Sequence, residues 1–105
     1  FKDHNDDSMM LNQLAWMIVN APDSAKHDYD LALKVASRAN EVASGKDPAV
    51  LDTLAFCYFN KGQLEEAVKT EKAALALNPA QEELVDELKA NLEKFENALK
   101  NKSGS

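Results

Sequence analysis

One ten-residue phrase stands twice in this chain. Residues 11–20 read LNQLAWMIVN and residues 51–60 read LDTLAFCYFN. Leu, Leu, Ala and Asn fall at matching places forty positions apart. A phrase rewritten at such an interval marks stacked copies of one supersecondary unit, because each unit buries its apolar face only against the next.

The phrase itself is helical. Leu11, Leu14, Ala15 and Ile18 fall at i, i+3, i+4 and i+7, one face of a helix starting near Met9 and capped by Asp7 or Ser8. Pro22 and a polar cluster then break the pattern, and Asn20 marks the helix end. A second helix is expected from about Tyr29 to Ser44, with Asp28 as its cap. Ala32, Ala36, Ala39 and Ala43 make a small-residue stripe on it that lets a neighbour approach closely, and Gly45 ends it in a left-handed conformation.

Asp47 and Pro48 open a third helix, Pro48 standing where its missing N–H is no loss. Leu51, Leu54, Ala55 and Tyr58 repeat the first helix's face, and Asn60 and Gly62 close it. A fourth helix runs from about Gln63 to Leu77. Asn78 and Pro79 are read as the cap and first turn of a fifth, which continues to about Lys100. Acids crowd the start of that helix and lysines its end, an order that suits the helix dipole. Sustained period-two alternation is missing throughout, so the fold class is all-α.

The second unit resembles the tetratricopeptide repeat, a helix–turn–helix of about 34 residues. Leu51, Leu54-Ala55, Tyr58, Gly62, Leu64, Ala67, Ala74 and Pro79 stand at the motif's places. The first unit matches more loosely through Leu11, Leu14-Ala15, Ile18, Tyr29, Ala32 and Ala39. Its inter-helix loop is longer and carries Pro22 and His27 instead of the turn glycine. The resemblance implies a right-handed superhelical stack of helix pairs and a protein-binding role. It divides the chain into a polar lead-in over 1–8, a domain over 9–100 and a flexible tail over 101–105. Repeat one covers about 9–46, repeat two about 47–81, and a capping helix about 82–100.

The resemblance further implies that the first helix of each pair lines a concave surface. The face of those helices left over from core packing carries Met9, Asn12, Trp16 and Val19, then Asp52, Phe56 and Phe59. These seven residues are the expected contacts of a peptide or helix from a partner protein, with aromatics as anchors. The opposing expectation is that Trp16, Phe56 and Phe59 plug a shallow groove as core. Some family members clamp a C-terminal carboxylate with Lys, Asn and Arg in this groove. Asn12, Trp16, Asp52 and Phe56 occupy those places here and provide no cationic clamp, so that ligand class is rejected.

Glu71 stands on the inner side of the fourth helix, where the motif has an apolar or aromatic residue. A buried carboxylate needs a partner, and a structural hydrogen bond or partial exposure is expected ahead of a ligand contact. On the fifth helix Val85, Leu88, Leu92, Phe95 and Leu99 alternate spacings of three and four. They are read as a cap sealing the fourth helix, or alternatively as a seam by which Phe95 and Leu99 pair with a second copy. A monomer is expected, with a homodimer the alternative.

The remaining composition removes function classes. Lys plus Arg number 12 against 18 acids, a net charge of −6, which repels phosphate backbones and anionic membranes. Cys57 is the sole cysteine, so no intrachain disulfide and no Cys-cluster metal site is expected. It sits among core positions and is read as a buried thiol, not a nucleophile. His4 and His27 lack ligand-spaced companions. Asp3, Asn5 and Asp7 begin like a calcium loop, but Ser8 and Leu14 occupy the places that need Gly and an acid. Three glycines make no phosphate loop. No cofactor, catalysis or membrane insertion is expected.

The phrase DPAVLDTLA…KGQLEEAVK is also similar to repeats attached to bacterial thioredoxin-like or other secreted proteins. That similarity implies an accessory domain of a longer, periplasmic chain. The start at Phe1 is read as that of an excised piece or a processed product. The residues themselves name neither a compartment nor a partner.

Overall fold

A computed structural model describes residues 4–19 and 29–104. Five helices make up the described architecture: α1 (His4–Val19), α2 (Tyr29–Val42), α3 (Pro48–Asn60), α4 (Leu64–Ala76) and α5 (Glu82–Gly104). Each packs on its successor, and α3 also touches both α1 and α5. That is a stack of helix hairpins, with α1, α3 and α5 side by side along one surface. The expected Asn20 helix end, the Pro22–His27 loop and the Asp28 cap lie outside the described residues, as does Asp3.

Local chemistry sets the boundaries of α3. The Asp47 carboxylate accepts a hydrogen bond from the Ala49 amide at 3.0 Å, and Pro48 occupies the first turn. At the other end the Asn60 side-chain amide donates to the Phe56 carbonyl at 2.8 Å. Gly62 then reverses the chain at φ +83°, a backbone state cheap only for glycine. After α2, Gly45 adopts φ +69° as expected, but Ser44 shares the left-handed turn at φ +59°.

Three boundaries differ from those read in the sequence. Asp7 and Ser8 lie inside α1, so neither caps it, and the polar lead-in is helical from His4. The buried Ser8 hydroxyl instead donates to the Ala39 carbonyl of α2 at 3.3 Å. Asn78 does not cap α5. At φ +54° it ends α4, its amide donating to the Leu75 carbonyl at 3.0 Å. Asn tolerates the left-handed state, and Pro79 after it blocks further helix. The expected tail is also shorter, because α5 continues to Gly104.

Three apolar clusters run along the stack. Ala15, Val19, Ala32, Ala36, Leu54 and Cys57 join α1, α2 and α3. Ala32, Ala36 and Ala39 are fully buried, so the small-residue stripe is where α2 meets its neighbours. Ala55, Ala67, Val68 and Phe95 join α3, α4 and α5, and half-buried Tyr58 packs against both clusters. Leu51, Ala74 and Leu88 complete the core at the far side.

Leu14 breaks the repeat's symmetry. Its equivalent, Leu54, is 6% exposed and packs on the hairpin before it, whereas Leu14 is 46% exposed. Leu14 belongs to the core face by spacing, but α1 packs only on α2 and α3 among the described helices. The side of α1 that corresponds to the Leu54 side of α3 faces none of them.

Candidate functional site

A groove of about 590 Å³ opens between α1, α3 and α5. Asn12, Gln13, Trp16 and Met17 form one wall, and Ala49, Asp52, Thr53 and Phe56 the floor. Leu84, Glu87, Ala90 and Asn91 form the other wall. Residues 12, 13 and 16 of α1 and 52, 53 and 56 of α3 stand forty apart. The repeat therefore supplies the same three places twice to one surface.

Four of the seven expected contacts line this groove: Asn12, Trp16, Asp52 and Phe56. Three do not. Met9 is 62% exposed but lies off the groove. Val19 is buried in the α1–α2–α3 cluster. Its equivalent Phe59 is half-buried against Phe95, with ring centroids 4.8 Å apart. Three residues beyond Trp16 and Phe56, the helix surface has rotated from the groove into the core, which places Val19 and Phe59 there.

The aromatics divide between plug and edge. Phe56 stands edge-on between Phe95, at 5.2 Å, and Trp16, at 5.5 Å. Its ring is thus part of the packing and part of the groove. Trp16 keeps 43% of its surface exposed, and Met17 beside it 66%. The ammonium of Lys94 lies 5.7 Å from the Phe56 centroid and 5.3 Å from that of Phe59, a cation–π contact on the α5 side.

Burial shows how the five apolar residues of α5, read as a cap or alternatively as a seam, are used. Leu88 and Phe95 are fully buried against α3 and α4, and Leu92 and Leu99 pack half-buried beside Phe95. Val85 is half-buried as well. A seam needs Phe95 to overhang the body, and here it fills the body. What the sequence did not yield is the face of α5 one position earlier. Leu84, Glu87 and Asn91 recur at i, i+3 and i+7, a helical face that could have been read beside the apolar stripe.

The polar side of the groove is rich in acceptors. Asp52 accepts from the Asn91 amide at 3.0 Å, and Glu87 stands nearby on α5. The side-chain oxygen of Asn12 is buried without a hydrogen-bond partner. The residues that line the groove include no Lys, Arg or His.

Glu71 on α4 is fully buried, so the expected partial exposure is missing; neither carboxyl oxygen accepts a hydrogen bond, and the hydrogen-bonding neighbour of the protonated acid is the Asp52 carboxyl group. Burial first, and the neighbouring Asp52 carboxyl group second, push its pKa up to about 10. It is therefore a neutral acid at neutral pH, which is how a desolvated carboxyl avoids the cost of an unpaired charge.

Cys57 is fully buried, and desolvation pushes its thiol up to about 12. It stays protonated and poorly nucleophilic. On the opposite surface the Lys61 ammonium pairs with Asp30, holding that carboxylate below its ordinary range and tying the α3–α4 turn to α2. Among the described residues no group of His, Cys, Asp and Glu is arranged to hold a metal, and no helix is long and apolar enough to cross a membrane.

The tetratricopeptide repeat family model matches residues 24–92, taking in α2, α3, α4 and the first part of α5. No curated protein and no solved structure gives a match.

Proposed function

Because this chain belongs to the tetratricopeptide repeat family, whose repeats mediate protein–protein interaction, we propose that the α1–α3–α5 groove docks a peptide or helix of a partner protein. The observation that supports this most is the geometry at Trp16. The residue is 43% exposed beside an apolar hollow, and its ring stands edge-on to Phe56, which in turn stands edge-on to Phe95. An aromatic anchor whose ring is braced loses little rotamer freedom on binding, so contact area there converts efficiently to affinity. Nucleic acid is not the partner, because the net charge of −6 repels a phosphate backbone. The module binds rather than catalyses.

Trp16 is the only tryptophan, so its emission reports on the groove directly. Peptides selected from a random display library on the folded chain should blue-shift that emission as they dock. Substituting Trp16→Ala should abolish their binding while leaving the helical circular dichroism unchanged. Peptides that bind without moving Trp16 emission would place docking elsewhere and refute the groove.

A further inference from the structure

Resting on the groove as the docking site, we infer that its occupant is a polypeptide segment carrying a Lys or Arg next to an apolar anchor. The anchor seats against Trp16, Met17 and Phe56, and the basic group reaches Asp52 and Glu87. Shape and charge carry this together. Trp16, Met17 and Phe56 offer apolar surface, and Asp52 and Glu87 bring two carboxyl groups to the same hollow. No lining residue brings a positive charge to balance them.

The Lys94 ammonium is outside the lining and lies over the Phe56 and Phe59 rings. Asn91 donates to one oxygen of Asp52, and a carboxylate has capacity for further donors. A basic side chain entering this hollow is therefore favoured by charge and by hydrogen bonding to the carboxyl groups. A carboxylate or phosphate would meet two acids and no cation among the lining residues.

The test uses the full chain and peptides panned from a random library. Selected sequences should be enriched in Lys or Arg adjacent to an aromatic or aliphatic residue. Binding of the best one should weaken about tenfold with either Asp52→Asn or Glu87→Gln, as loss of one charge-assisted contact implies. It should also weaken with rising salt. Glu87 is exposed, so Glu87→Gln keeps the result interpretable if Asp52→Asn disturbs folding. Peptides that need Trp16 but lack a basic residue, and ignore both charge variants, would overturn the inference and leave the groove standing. Peptides indifferent to Trp16, or a library with no enrichment, would overturn both.

Discussion

Replacing Glu71 by Gln should remove a loss of stability that the wild type suffers between acid and neutral pH. Glu71 is fully buried beside the Asp52 carboxyl group, and burial first and that neighbour second raise its pKa from 4.5 to about 10. The folded chain therefore holds a proton that the unfolded chain releases above pH 4.5. Because the native state binds more protons across that window, stability falls as pH rises. The full contribution is present below the unfolded value and is lost progressively up to the folded one. The slope is about 1.4 kcal/mol per pH unit. At pH 7, about 2.5 units above the unfolded value, the accumulated cost is about 3 kcal/mol.

That figure needs only a folded pKa well above 7, so it does not depend on where near 10 the group titrates. Gln cannot ionise in either state and escapes the cost. Its amide has its own unmet hydrogen bonds, but they weigh equally at every pH and cancel when two pH values are compared. Urea melts followed by circular dichroism should show Glu71→Gln gaining about 3 kcal/mol on wild type between about pH 4 and pH 7. In thermal melts the same gain is roughly 10–20 °C. Parallel pH profiles for the two proteins would refute the reasoning, since they would mean that Glu71 ionises alike in both states.

Three further outcomes follow from burial. Leu54→Ser should cost about 3 kcal/mol or more, by cavity and buried hydroxyl, whereas Leu14→Ser should stay within about 0.5 kcal/mol despite its equivalent place. Equal losses in urea melts would show that the two leucines are not differently packed. Phe95→Ala should cost about 3–5 kcal/mol, because that ring braces both Phe56 and Phe59, and it should also shift Trp16 emission as Phe56 loosens. A near-wild-type melt would return Phe95 to the surface. Cys57 should react with a disulfide reagent only as fast as the chain opens, its rate rising with urea; prompt labelling of the native protein would contradict a buried, protonated thiol.

Much of the site was legible as letters. Asn12, Trp16, Asp52 and Phe56 were placed in the groove by asking which face of a repeated helix its core leaves over. The same reasoning puts Met9, Val19 and Phe59 on that face, whereas Met9 lies off the groove and Val19 and Phe59 pack inward. A helix advances 100° per residue, and whether a flanking position turns toward core or groove depends on how closely the next hairpin wraps it. That distance is a tertiary quantity. The far wall of the groove is not legible in the same way, because the apolar stripe dominates the α5 sequence and Glu87 and Asn91 gain meaning only once Asp52 stands opposite.

The chain's local chemistry determined the helices and their number. Apolar periodicity, the Asp47-Pro48 start, the Gly45 and Gly62 turns and the alanine stripe each act over a few residues, so they can be read without a fold. Which equivalent residues are equivalent in fact was decided only by packing. Leu14 and Leu54 share a place in the phrase and differ in burial because one has a hairpin beside it. Glu71 is a surface-type residue by identity and a neutral core acid by position. Burial and ionisation are set by neighbours remote in sequence, and those exist only after the hairpins have stacked.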